Sequence, residues 1–353
     1  MSTIVKNFLC QSLFVTILFL LTACGKDEVI ITDNEIPTVR SASSFQVLID
    51  ENIVYGEGLG HTSESTSSVG VPLLLDVYYP DNDSGNRPVF MFIHGGGFQG
   101  GSKTKPEIVN MANYYASRGW VFVSIDYRTV EELGTITGMT QQEVLTFHKG
   151  IAPEEWISFS LQNAMSPNDV QTGIALYAAQ RDAKAALRWI AANSATYSIN
   201  KNFITVGGAS AGAVSTIALG VSDLDDFRDE ISNSDDMTLS STNLNEIYNV
   251  KSMVYFWGAD VKIELYEAIY GVSLYDNNDP ELFMAHGTID ANPSTPFSEA
   301  TEIKDTYDIL GIYNELIPLE GAGHGAWNAQ VEGSGLNELT FNFLVERQDL
   351  SVE

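Results

Sequence analysis

Ser210 stands in Gly208-Ala209-Ser210-Ala211-Gly212, between the apolar run 201–207 and an alanine-rich stretch. Small residues on both sides let the backbone turn sharply. The G-x-S-x-G spacing suits a strand-to-helix corner that exposes a nucleophilic hydroxyl. The helix starting at the corner aims its positive end at the site. A serine hydroxyl needs a base, and the base needs a group that fixes its tautomer. His324, in Glu320-Gly321-Ala322-Gly323-His324-Gly325-Ala326-Trp327, follows a strand-like run and precedes the last helical pattern, which puts it on a loop. Two carboxylates lie just beyond strand-like runs, Asp290 in Gly287-Thr288-Ile289-Asp290 and Asp260 in Gly258-Ala259-Asp260. Asp290 is preferred, because Gly287 and Pro293 supply turn residues and it lies nearer His324 in the chain. In this reading Asp290 orients His324, which takes the serine proton and delivers it to a leaving alcohol. His286 is read as a supporting or core residue with no catalytic role.

The tetrahedral intermediate of such a reaction needs N–H donors. His94-Gly95-Gly96-Gly97-Phe98 follows an apolar run and offers consecutive backbone N–H groups. Gly96 and Gly97, with Ala211 from the corner, are the expected oxyanion donors. His94 is expected to order this loop. A phosphate-binding loop is the rival reading, but the G-x-x-x-x-G-K-[ST] pattern is missing.

The elements that must hold these residues alternate. Strands are expected at 45–56, 71–80, 87–97, 120–128, 201–208, 250–258, 280–287 and 312–321. Helices are expected at 106–119, 169–193, 211–220, 301–311 and 336–348. The continuous apolar runs at 87–97 and 120–128 are those of central parallel strands. The alternation predicts one α/β domain. Residues 129–168 read as an insertion with short helices, a lid or pocket wall. Its Trp156, Phe159 and Leu161 line an acyl pocket or pack in the core. Residues 222–246, acidic and rich in Ser and Asn, read as an exposed excursion.

Together these stretches resemble α/β-hydrolases of the carboxylesterase and hormone-sensitive-lipase type. The resemblance covers about residues 45–347 and rests on LLLDVYYP, FIHGGGF, VFVSIDYR, RDAKAALRWIAAN, ITVGGASAGA, HGTID and GHGAW. It implies a mostly parallel central sheet flanked by helices. It also implies hydrolysis of carboxylic esters through an acyl-enzyme, without cofactor or metal. The order Ser210, Asp290, His324 is that fold's triad order. Ala209 replaces the acidic residue that many hormone-sensitive-lipase relatives carry before the serine, and HGTID looks more like the bacterial esterase and peptidase-like version. Relatives with this mixture include carbohydrate esterases that remove acetyl or feruloyl groups. A peptidase of the same fold and a lipase for longer acyl chains stay open alternatives.

The chain has 353 residues, 44% of them hydrophobic, and a formal net charge of −28. Such a surface repels nucleic-acid backbones. Its five histidines are scattered, which suggests no zinc site. Lys6, the apolar run 13–23 and Leu21-Thr22-Ala23-Cys24 have the layout of an export signal ending in a lipobox. Residues 1–23 are therefore expected to be removed, Cys24 lipidated and membrane-anchored, 24–44 a flexible tether, and 45–350 the catalytic domain. The expected location is the outer membrane or cell surface of a bacterium. Cleavage elsewhere would leave the protein periplasmic or secreted. The two cysteines are Cys10 and Cys24, so the mature chain would hold no free thiol. Nothing in the sequence fixes the oligomeric state.

Overall fold

The computed structural model describes residues 35–61 and 67–353. The expected signal segment, Cys24 and the first part of the expected tether lie outside the described residues. Eight strands form the central sheet. They are β1 Val47–Gly60, β2 Val69–Pro80, β3 Arg87–Ile93, β4 Val121–Ile125, β5 Ile199–Ala209, β6 Val250–Phe256, β7 Glu281–Gly287 and β8 Asn314–Leu319. Their order is β1-β2-β4-β3-β5-β6-β7-β8. β2 pairs antiparallel with β1 and with β4, and every later pairing is parallel. The helices are α1 Pro106–Ala116, α2 Gln141–Phe147, α3 Glu154–Asn163, α4 Pro167–Ala192, α5 Ala211–Val221, α6 Val261–Tyr270, α7 Phe297–Leu310 and α8 Leu336–Arg347. This is the α/β-hydrolase architecture.

Alternation along the central strands separates two cores. Val89, Met91, Ile93, Val121, Val123, Ile125, Met253 and Met284 point to one side, toward buried residues of α4 through α7. Phe90, Phe92, Phe122, Phe256 and Phe283 point to the other, toward Ile108, Met111 and Tyr115 of α1 and Phe341, Phe343 and Leu344 of α8. With both faces covered, β3 and β4 are buried along their whole length. The site therefore sits at the carboxyl edge of a stiff sheet.

The inserted region packs on the first side through Ile136, Val144, Ile151, Trp156 and Ile157. Trp156 donates its ring N–H to Gly173 O at 2.7 Å and stands against Tyr177 and Phe227. It is a core residue.

Residues 222–246 are not simply an exposed excursion. Phe227, Ile231 and Leu239 are buried, and the Asp236 carboxylate forms a buried pair with Arg181 at 2.6 Å. Covering α4 lets its charged residues lie inside, where each needs a partner. Arg128 grips Asp182 with Nε and Nη2, the latter at 2.6 Å.

The expected tether also ends earlier than residue 44. Thr38–Val39 pairs in parallel with Ser351–Val352, and Val39 is fully buried. Arg40 N donates to Arg118 O at 2.9 Å. The folded part thus includes residues on both sides of 45–350.

Buried histidines make the fold acid-sensitive. Desolvation pushes His94 and His148 down to about 4. Between pH 6.5 and about 4 the unfolded chain binds these protons and the folded chain does not. Stability from each is therefore present at neutral pH and lost as pH falls toward 4. Between pH 7.5 and 4.5, His148→Gln should lose about 2 kcal/mol less unfolding free energy than the parent, measured by urea titration at both pH values.

Candidate active site

Ser210 occupies the corner between β5 and α5 with φ 55° and ψ −122°, a conformation that costs roughly 1–3 kcal/mol for a non-glycine residue. Its N–H donates to Phe256 O at 2.9 Å and its carbonyl accepts from Val214 N at 3.1 Å, so β6 and α5 clamp the turn. Gly212 has to be glycine because a Cβ there would lie 2.0 Å from Ile93 O. At Gly208 a Cβ would meet the Gly212 carbonyl at 2.3 Å. Close approach of β3, β5 and α5 thus explains the small residues.

The structure brings Ser210, His324 and Asp290 together. His324 Nδ1 lies 2.7 Å from Asp290 Oδ2, and His324 Nε2 lies 2.9 Å from Ser210 Oγ. A carboxylate only accepts, so Nδ1 carries the proton and the serine hydroxyl donates to Nε2. Thr295 Oγ1 lies 3.3 Å from the same Nδ1. The Asp290 side chain is fully buried while that of His324 is partly exposed. Asp290 Oδ1 accepts from Asn292 N at 2.9 Å. The alternative carboxylate, Asp260, is not part of this chain of bonds. It accepts from Tyr275 OH at 2.9 Å, and burial raises its pKa.

Two further residues stand beside these bonds: His286, in the supporting place expected of it, and Trp257, which the sequence reading did not single out. His286 Nε2 is 3.2 Å from Asp290 Oδ2 and 3.0 Å from Thr295 O. It donates to acceptors only, and desolvation lowers its pKa, so it is a neutral ring. Its position four residues before Asp290 at a strand end was the available sequence signal. Trp257, at φ 40° directly after β6, packs edge-on to Trp327 at 5.1 Å and 6.5 Å from the His324 ring.

A cavity of about 400 Å³ opens beside Ser210. Gly96 and Gly97 line it with Ser210 and His324, as do Ile108, Trp257, Trp327, Lys105 and Asn292. Ala211 begins α5 directly after the serine. His94 stacks on Tyr127, whose hydroxyl donates to His94 O at 2.8 Å, which fixes the start of the glycine loop. A hydroxyl, an oriented imidazole and a wall of small backbone groups can together take a proton from serine and accept negative charge on a substrate oxygen.

The family model described as BD-FAE matches residues 75–139 and 170–306, more than half of the chain. The chain belongs to the BD-FAE family. The part of this BD-FAE protein left unmatched between those blocks, 140–169, holds α2 and α3. Its sheet order and its structural relatives make the fold that of the α/β-hydrolases. Phenmedipham hydrolase of Pseudarthrobacter oxydans is 32% identical over 148 residues, which are 42% of this chain and 22% of that protein. The chain therefore spans less than a quarter of that curated relative's length. Among solved structures, the butyrate-bound thermophilic esterase Est2 of the planctomycete Thermogutta terrifontis aligns with TM-score 0.55 and 20% identity, covering 84% of this chain and 93% of that one. A truncated carbohydrate esterase from gut microbiota aligns with TM-score 0.54 and 16% identity, covering 88% and 99%. At such identities these two likenesses speak for the fold.

Proposed function

We propose that this chain is a serine carboxylic-ester hydrolase working through an acyl-enzyme on small to medium acyl groups. The observation that carries the reading is the continuous hydrogen-bonded path from Ser210 Oγ through His324 to buried Asp290, on a strained corner. Ser210 attacks the ester carbonyl while His324 takes its proton. Gly96, Gly97 and Ala211 N–H groups receive the oxyanion. His324 then gives the proton to the leaving alcohol, and water repeats the sequence to free the acid. Asp290 holds the tautomer throughout.

The substrate class rests on the cavity and the company the chain keeps. Walls from Ile108, Trp257 and Trp327 suit a short or aromatic acyl group. The gut relative described as a carbohydrate esterase fits esters carried on carbohydrates, and the sequence resemblance adds acetyl or feruloyl as the acyl group. The finer likeness to hormone-sensitive-lipase-type enzymes rests on sequence stretches, HGGGF and G-x-S-x-G foremost. A lid role for 129–168 and lipidation of Cys24 at a bacterial surface belong to the same proposal and rest on sequence.

Aryl esters from acetyl to dodecanoyl, with acetylated xylan, a feruloyl ester and an aminoacyl anilide, test the reading. The expected kcat/KM is highest from acetyl to butyrate and falls at least tenfold by dodecanoate. Anilide cleavage faster than any ester would move the assignment to a peptidase, and a maximum at dodecanoate would move it to a lipase.

A further inference from the structure

The Gly95 carbonyl is held from two sides. Lys105 Nζ donates to it at 2.6 Å, and His94 Nδ1 lies 3.1 Å away and must carry its proton there. His94 is uncharged, because burial, helped by the nearby Lys105 charge, pushes its pKa down to about 4. The charge on this carbonyl is therefore the lysine's. Lys105 stands at the N-cap of α1 but makes no capping bond with its side chain. The side chain instead reaches into the cavity that holds Ser210 and His324.

The Gly95 carbonyl and the Gly96 N–H share one peptide plane and, in a trans peptide, point in opposite directions. Fixing the carbonyl fixes the N–H. Gly95 also lies directly against the nucleophile, since a Cβ placed on it would be 3.0 Å from Ser210 Cβ and 2.5 Å from Ala209 O. A cation on the acceptor end of an amide polarises it and strengthens its N–H as a donor.

We propose that Lys105 is a positioning residue for the oxyanion: its ammonium pins and polarises the Gly95–Gly96 peptide, aiming the Gly96 N–H at the oxygen where negative charge develops. The proposal rests on the ester-hydrolase reading above. Lys105 acts through the peptide and does not touch the substrate. Its effect therefore belongs to the transition state, where the oxygen is charged, and little of it to ground-state binding.

The test compares the parent with Lys105→Met, Lys105→Gln and Lys105→Arg. The probes are a neutral aryl acetate, an anionic aryl hemisuccinate and an alkyl trifluoromethyl ketone. The ketone takes up Ser210 Oγ to give a hemiketal oxyanion as His324 receives the serine proton. Lys105→Met should lower kcat on the acetate about 10- to 100-fold, a fraction of what loss of a whole oxyanion donor does. KM should stay within twofold. The ketone Ki should rise by the factor lost from kcat, Lys105→Gln should behave like Lys105→Met, and Lys105→Arg should regain most of the rate. Should Lys105→Met fail to fold, the Gln and Arg variants decide by the same comparison. Unchanged kcat in folded Met or Gln variants overturns the proposal. So does a defect seen only in KM for the hemisuccinate, which would make Lys105 a direct substrate contact. A parent enzyme as inert toward every ester as Ser210→Ala would instead remove the underlying reading, and the proposal with it.

Discussion

Ser210→Ala should lower kcat on an aryl acetate by roughly a million-fold, to the level left by binding and oxyanion donors alone. The size follows from the role. Without Oγ there is no acyl-enzyme, and the imidazole can act only on water that the site does not position. Folding should be unaffected, because the hydroxyl's bond is to the partly exposed His324 ring. The strain is separable from the chemistry. Alanine keeps a Cβ at φ 55°, whereas glycine adopts that angle freely. Ser210→Gly should therefore be as inactive as Ser210→Ala but more stable by about 1 kcal/mol, the relieved strain exceeding the added chain entropy. Urea titration of both variants, with single-turnover assays, checks the two halves separately. Residual activity above about one per cent in Ser210→Ala would remove the serine from the mechanism.

The parts of this molecule that could be read from sequence are those whose cause is local. β3 and β4 announced themselves because a strand buried on both faces has to be apolar without a break. The elbow was legible because crossing backbones at Gly208 and Gly212 leave no room for a side chain. Other features depend on partners far along the chain. Residues 222–246 looked exposed because they are polar, yet that polarity is matched to α4. Glu230 accepts from Tyr177 at 2.9 Å, and Asp236 pairs with Arg181. Strand-like pairing of Thr38–Val39 depends on Ser351–Val352, more than three hundred residues away. α6 escaped notice because its start, at Asp260, carries no side-chain cap bond and Lys262 interrupts its apolar face. That lysine is fully buried, bonded to Gln180 Oε1 and Ser215 Oγ, both at 2.8 Å. The same limit applies at the site. The glycine loop could be read, but not that Lys105 would fold back onto Gly95 O.

Asp290→Asn should lower kcat about ten-thousand-fold with KM little changed, and the surroundings of this carboxylate explain why an amide cannot substitute. Oδ2 receives N–H groups from His324 at 2.7 Å and His286 at 3.2 Å, while Oδ1 receives Asn292 N at 2.9 Å. All three neighbours are donors, and an asparagine offers one acceptor end and one donor end. With its NH₂ toward the histidines, His324 must move its proton to Nε2, which leaves no lone pair for the serine hydroxyl. With its NH₂ toward Asn292, two donors face each other at a buried point, a conflict of about 1–3 kcal/mol, and the imidazolium of the transition state still loses its counter-charge. The first orientation removes the base by tautomer; the second leaves it in place but without the charge that stabilises its protonated form. His286 sharpens the expectation, because its N–H adds a second donor that the NH₂ orientation would also have to displace. The measurement is kcat and KM for an aryl acetate in Asp290→Asn, with His286→Phe as comparison. His286→Phe keeps the carboxylate and its bond to His324, so it should lose no more than about tenfold. A loss below a hundredfold in Asp290→Asn would mean that Thr295 Oγ1, 3.3 Å from Nδ1, holds the ring well enough alone. The orienting role would then pass from the carboxylate to the threonine.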